Sequence, residues 1–519
     1  MRNRGKLARM LIRHRQALLW PLAAALAFCV GHRFCHRTAD FIVYYQGAKS
    51  LLAGRTDLYS NTFAWGPPMT YVYPPLFLLL IFPLKWLSFA NAFGVWFALL
   101  GLATAVVVRR AYHQWRPRHR ARYIWLILAL AGPFVVVALK SGNVHLLIVL
   151  LVVYAAMAWS AGRVWPASFA VALAGAIKIF PLFLLPVFVA RREWALVTRV
   201  IGLSCLLWLL PIVYFGPQRT ASLYRSWSNL VVFHLSEFEN KRSLDHSLTG
   251  TLNRWFTHID YSGRLDGDYS QANIATLSRR ALKAVTYGVE GVILALSLWM
   301  CALLQPVAEA PPTEHDRQLR VASAGVIFIT FQLLLGPYAP MLYLCGWLLV
   351  ALVLPSVVED TNYVFNLLLL TGTTNLVLFL VPGRNNQRTL QAYGAFALLG
   401  LVLWVLSMWS GCLLVRKTRE TTPSYSSALD SYSEAEEELA SISSALGRPD
   451  ALLNRTAQSE KELAAWNLSA KRISPGVQTR KNSLPQQLYY FWFPYWRQRR
   501  MLAMYTTPKA MGSLPRRGT

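Results

Sequence analysis

The sequence predicts an all-α integral membrane protein that crosses the bilayer many times. Three observations carry that fold class. The chain has 519 residues, 55% of them hydrophobic and 15% charged, with a mean hydropathy of +0.35. A water-soluble protein of this size could not hide so much apolar surface. Runs such as Thr361–Val381 and Ala392–Val415 reach the roughly 20 apolar residues that one helical span needs. The net charge of +28 gathers at the ends of apolar runs, which is how membrane orientation is written. That placement excludes a nucleic-acid-binding domain, since no basic patch lies on a soluble fold.

The N-terminus is basic from Arg2 to Arg15 and is followed by an apolar run near Leu18–Phe34. No small-residue cleavage site follows, so it reads as an uncleaved first helix with its N-terminus inside. The next basic cluster is Arg109–Arg122, then Arg191–Arg199, Arg317–Arg320 and Arg416–Arg419. If both Tyr73–Trp86 and Ala92–Val108 spanned, Arg109–Arg122 would be outside. Tyr73–Trp86 is short and contains Pro74, Pro75, Pro83 and Lys85, so it is expected to lie at the interface or dip in. Trp165–Ala190 poses the same problem between Arg163 and Arg191. Pro181 breaks helical hydrogen bonding, so two arms are expected to meet at an outer turn holding Lys178. Broken helices are tolerated where they line a cavity.

Further spans follow at Val200–Phe215, Ala284–Leu304, Val321–Gly336, Met341–Val358, Tyr363–Val381 and Ala392–Val415. Roughly ten to twelve membrane segments are expected in all. The membrane domain covers residues 1–415, with external loops at 37–91 and 216–283. Residues 416–519 form a cytoplasmic tail, rich in Ser, Thr and Glu at first and partly disordered. Its Tyr489–Arg500 segment mixes aromatic and basic residues, which suits either the inner leaflet or packing on helix ends. The six cysteines form no CxxC pair and imply neither a disulfide framework nor a metal site.

The first external loop holds the chemistry. Asp40 follows a membrane helix and precedes an amphipathic stretch, so its carboxylate sits at the membrane–water boundary. There it either acts on a hydroxyl or caps the helix that begins at Phe41. Asp57 reads as a turn residue. Lys178 is an intramembrane cation, and such cations are expensive and usually functional unless they reach the interface.

The string from Asp40 through Tyr44, Gly47, Gly54 and Tyr59, then Tyr71-Val72-Tyr73-Pro74-Pro75-Leu76, resembles the opening of glycosyltransferase family 87. Further similar pieces come in order: Ser141-Gly142-Asn143-Val144-His145, Ala174 to Pro181, Asp245-His246-Ser247-Leu248-Thr249-Gly250 with Arg254, and Gly336-Pro337-Tyr338. Asn143 and His145 stand where that family has Gln and Asn, Asp245 where it has Asn, and no histidine follows Pro337. The resemblance covers about residues 40–415. It implies the GT-C membrane fold and transfer of a hexose, mannose in the best-known members, from a polyprenyl-phosphate sugar to a lipid- or glycan-linked acceptor on the non-cytoplasmic face.

The resemblance implies Asp40 as catalytic base. Lys178 and Arg254 are then expected on the donor phosphate, and Tyr44, Tyr73, Asn143, His145 and Asp245 around the sugar or acceptor. A single-phosphate donor needs no bridging metal, so neither metal nor cofactor is expected. A bacterial cytoplasmic membrane suits the resemblance. Two other classes stay open: a transporter or flippase of lipid-linked sugars, and an inactive scaffold. The enzyme requires the Asp40 carboxylate and a scaffold does not, while a transporter can do without it or use it.

Overall fold

The computed structural model describes residues 19–38, 40–52, 58–59, 62–63, 69–115, 117, 119–234, 245–258, 272–305, 313–336, 339–359, 361–382 and 384–421. The basic N-terminal segment, Asp57, Pro337, Tyr338 and the tail from residue 422 on, with its aromatic segment, lie outside the described residues. Within them the protein is built of helices, with one antiparallel ladder pairing β1 (Thr62–Phe63) and β2 (Met69–Thr70).

In chain order the helices are α1 (Leu19–Phe34), α2 (Phe41–Leu52), α3 (Pro75–Ile81), α4 (Phe89–Trp115), α5 (Arg120–Ser141), α6 (His145–Ser160), α7 (Val164–Ile177) and α8 (Leu184–Ala190). Then follow α9 (Trp194–Phe215), α10 (Pro217–Ser228), α11 (Leu248–Phe256), α12 (Arg279–Leu303) and α13 (Glu314–Leu335). The last are α14 (Met341–Val358), α15 (Asn362–Leu380), α16 (Arg384–Ala392) and α17 (Ala395–Thr421). Among the described residues eight are long and apolar enough to cross a membrane, and five further apolar helices are shorter.

Several helices outrun their apolar stretches. α4 continues beyond Val108 through Arg109 and Arg110 to Trp115, and α12 begins at Arg279 rather than Ala284. Charge marks where hydrocarbon ends, whereas backbone hydrogen bonds continue into the interface. The expected external loop 216–283 likewise contains α10, α11 and the start of α12. Ser247 caps α11 and Ser278 caps α12, each accepting the N–H three residues on.

The stretch after Tyr73 forms the seven-residue α3 and a 3-10 turn to Trp86, too short to cross. The segment after α7 breaks where expected: Lys178 is extended and a 3-10 turn, Phe180–Phe183, leads into α8. Leu182 folds back so closely that a Cβ on Gly175 would meet its Cδ2 at 2.4 Å. In a straight helix residues seven apart stand about 10 Å apart along the axis, so the chain reverses here.

α5 carries one π-helical turn, Ile127–Ala131. Such a turn frees carbonyls that hydrocarbon cannot satisfy. Asn375 of α15 is fully buried and donates its Nδ2 to Ala129 at 2.7 Å and Leu130 at 3.2 Å.

Side chains from the basic clusters tie one end of the bundle together. Gln114 donates to Ser160 Oγ, and Arg317 to the Ser160 carbonyl. Arg320 reaches the carbonyls of Gln305 and Leu414, Gln305 that of Ala190, and Arg191 that of Cys301. The ends of α4, α6, α8, α12, α13 and α17 therefore meet there. α13 lies at the centre, with 89% of its apolar window buried, against 17% for the peripheral α9. On α9 large apolar residues such as Val213 and Leu206 are exposed, as a lipid-facing helix requires.

Sidedness follows directly. In a cysteine-free background, Arg163→Cys and Arg192→Cys are expected to react with an impermeant maleimide from one side of the membrane, and Lys49→Cys from the other. Labelling of all three from the same side would contradict the bundle.

Candidate active site

The end opposite the basic clusters gathers the polar residues of the first loop. The loop between α5 and α6 is a tight turn at Gly142, whose φ of +69° is left-handed. A Cβ there would lie 2.7 Å from both Phe41 Cβ and Phe93 Cε2, so only glycine fits. The turn exposes two carbonyls, and neighbours use both. The Ser141 carbonyl accepts the Asp40 backbone N–H at 3.1 Å and the Thr38 hydroxyl at 2.6 Å. The Gly142 carbonyl accepts Trp96 Nε1 at 2.9 Å. These bonds hold Asp40 at the start of α2.

From that anchor the half-buried Asp40 carboxyl takes hydrogen bonds from the side chains of Asn143 and Ser141. Asn143 also hydrogen-bonds Tyr73 and accepts the His145 N–H through Oδ1 at 2.7 Å. The Tyr44 and Tyr73 hydroxyls are 3.0 Å apart, and Tyr44 Oη accepts the Val144 N–H at 3.3 Å. Burial raises the carboxyl of Asp40 above its ordinary 3.8, opposed by the bonds from Asn143 and Ser141 and by the charge of Lys178. Burial also raises both phenols, with the Asp40 charge adding to the effect, so Tyr44 and Tyr73 stay protonated.

Lys178 enters from the break after α7. Its ammonium donates to the hydroxyl of Tyr343 and stands 5.8 Å from the Tyr73 ring. Tyr343 lies on the 3-10 turn that opens α14 and stacks on His145, with ring centres 4.0 Å apart and 14° between planes. Neither ring nitrogen of His145 has a hydrogen-bond partner among the described residues. The structure therefore brings together Asp40, Tyr44, Tyr73, Asn143, His145 and Lys178. It adds Tyr343, which sequence reasoning missed. The pattern offered only its place after Pro337 and Pro340, where no histidine stands.

Asp245 and Arg254 form a second cluster beside the same 3-10 turn. Asp245 Oδ1 accepts the N–H groups of Ala339 and Ser247, both at 2.9 Å, while Oδ2 accepts the Ser247 hydroxyl at 2.9 Å. His246 N–H returns to the Ala339 carbonyl at 2.8 Å. Arg254 is buried, donating to the Ala392 carbonyl at 2.9 Å and Thr251 Oγ1 at 3.2 Å. Burial and the nearby Arg254 lower His246 to about 3, so it is neutral. Asp245 thus fastens the 339–340 segment that leads to Tyr343.

Two stability effects follow. Asp245→Ala strands two buried N–H groups, at about 1–3 kcal/mol each, and is expected to lower the melting temperature of the purified protein, whereas Asp245→Asn retains an acceptor and melts closer to wild type. Gly142→Ala is strained by about 1–2 kcal/mol before the clash with Phe41 is counted, so it too is expected to melt lower.

Comparison with known proteins agrees with this architecture. A polyprenol-phosphate-mannose-dependent alpha-(1-2)-phosphatidylinositol mannoside mannosyltransferase of Mycobacterium tuberculosis (strain ATCC 25618 / H37Rv) is 26% identical over 196 residues. That stretch is 34% of this chain and 46% of the relative, so the chain spans about half the length of the curated relative it matches. No solved structure matches. Residues 71–337 match glycosyltransferase family 87, a match that begins after Asp40 and Tyr44 and includes Tyr73, Asn143, His145, Lys178, Asp245 and Arg254. With half of its length in that match, the chain belongs to glycosyltransferase family 87, as a polytopic all-α member.

Proposed function

We propose that this protein is a membrane glycosyltransferase that moves a hexose, mannose by likeness to its relative, from a polyprenyl-phosphate sugar to a lipid- or glycan-linked acceptor. The observation that carries the reading is a carboxylate and a cation brought to one end of the bundle, where helices end or break, close enough for the charge of Lys178 to act on Asp40. Asp40 takes the proton of the acceptor hydroxyl. The freed oxygen bonds to the anomeric carbon from the face opposite the phosphate. The carbon–oxygen bond to phosphate breaks, and its electron pair leaves on the phosphate oxygen. A base must lie about 3 Å from the proton it takes, and a carboxyl raised by burial is a stronger base than an exposed one.

The leaving phosphate gains charge, which a fixed cation stabilises. Lys178 is the group for that role, with Tyr343 orienting it and Arg254 adding its charge from the neighbouring cluster. Tyr44, Tyr73, Asn143 and His145 are assigned to the sugar and acceptor hydroxyls. Asp245 has its oxygens engaged, so it supports the site through the 339–340 segment. The site lies on the face away from the basic clusters, which by charge placement is the non-cytoplasmic side. The setting is then a cell membrane, with both termini cytoplasmic.

Isolated membranes given radiolabelled polyprenyl-phosphate mannose are expected to form a glycosylated product with wild type and none with Asp40→Asn at equal protein level. Product from both proteins would remove Asp40 from the mechanism. Lys178→Met is expected to lower kcat by roughly a hundredfold or more. The acid limb of kcat/KM reports Asp40 in the free enzyme. The base works ionised, so activity falls as pH drops through a pKa above 3.8. An acid limb at or below that value would contradict the burial of Asp40.

A further inference from the structure

The basic end of the bundle carries a feature the transfer reaction does not use. Between the last turns of α4 and the first turns of α5 lies a cleft of about 400 Å³. Ala105, Val108, Ile124 and Ile127 wall it with apolar surface, and Arg109, Tyr112, His113, Arg120 and Tyr123 complete the lining mainly through their apolar stems and rings. Among the residues that line it none is acidic. Arg109 makes no hydrogen bond or ion pair among the described residues, and the Arg120 guanidinium stands 5.9 Å from the Tyr112 ring. The Tyr123 hydroxyl is buried and has no hydrogen-bond partner among the described residues. The exposed apolar side chains of Ile124 and Leu128 carry the wall of the cleft on down α5.

We propose that this cleft binds one anionic phospholipid of the surrounding bilayer, its phosphate against Arg109 and Arg120 and one acyl chain along the apolar wall. Charge complementarity selects the ligand: two arginines stand where apolar helix gives way to basic loop, the level of lipid headgroups. Basic pockets between membrane helices hold anionic headgroups on this principle. A free phosphate would leave the apolar wall uncovered. The donor of the transfer reaction is a separate ligand, because Arg109 lies 13 residues along α4 from Trp96, which touches the Asp40 turn, or about 20 Å of helix.

The test is native mass spectrometry of the full-length protein titrated with dioleoylphosphatidylglycerol or dioleoylphosphatidylcholine. Wild type is compared with Arg109→Gln/Arg120→Gln, with Ala105→Trp, which fills the cleft and keeps the arginines, and with Arg163→Gln/Arg192→Gln, which removes the same charge from the same end outside the cleft. Wild type is expected to hold one phosphatidylglycerol that both cleft variants bind more weakly. For the arginine pair the loss is roughly thirtyfold, from the affinity each basic residue adds near an anionic surface. The Arg163/Arg192 pair and all phosphatidylcholine titrations are expected to match wild type. Unchanged phosphatidylglycerol binding in either cleft variant, or an equal loss in the Arg163/Arg192 pair, would overturn the proposal, the latter by assigning the effect to the general surface charge.

Discussion

A helix that ends inside a membrane protein must hand its last carbonyls to some donor, because hydrocarbon offers none. In this protein the hand-over at the end of α5 organises the site. The Ser141 and Gly142 carbonyls are taken by Asp40, Thr38 and Trp96. The same bonds that satisfy the turn place a carboxylate beside it. Asn143, next in the chain, then spans from Asp40 to Tyr73. The break at Lys178 brings a cation to the same end of the bundle, and Tyr343 receives it. Every member of the cluster lies at or beside a helix end or break, where the backbone is free to present it.

The opposite end obeys the same constraint with different residues. There, arginines and glutamines take the carbonyls of Ser160, Ala190, Cys301, Gln305 and Leu414. Arg320, 2% exposed, and Arg191, 4% exposed, are buried because they close helix ends. At one end the buried cations Arg191 and Arg320 close helix ends, while the other end keeps Lys178 near a half-buried carboxylate. Charge asymmetry along the bundle thus distinguishes an anchoring face from a chemical one.

Much of this was legible in residue order. The broken segment around Lys178 was forced by basic residues at both ends, and the short α3 by the prolines near Tyr73. Asp40, Asn143 and Lys178 stood out by residue type and by resemblance. Tyr343 did not, because an aromatic residue in an apolar run looks like any other core side chain until packing places it on His145. Arg254 and Asp245 were legible as polar residues of a long loop. What was hidden is that their hydrogen bonds are spent on Ala392, Thr251, Ala339 and Ser247. The partners of a buried charge depend on long-range contacts, which local pattern does not carry. Helix ends were misplaced by up to two turns for the reason seen at Arg109 and Arg110.

The most direct test of where the lipid carrier sits is photolabelling with a polyprenyl phosphate that bears a diazirine on its first isoprene unit, read by peptide mass spectrometry. The account predicts adducts on the segments around Tyr73, Lys178 and Tyr343, lost on competition with unlabelled polyprenyl phosphate. Competable adducts confined to the cleft between Val108 and Ile127, at the other end of the bundle, would contradict it.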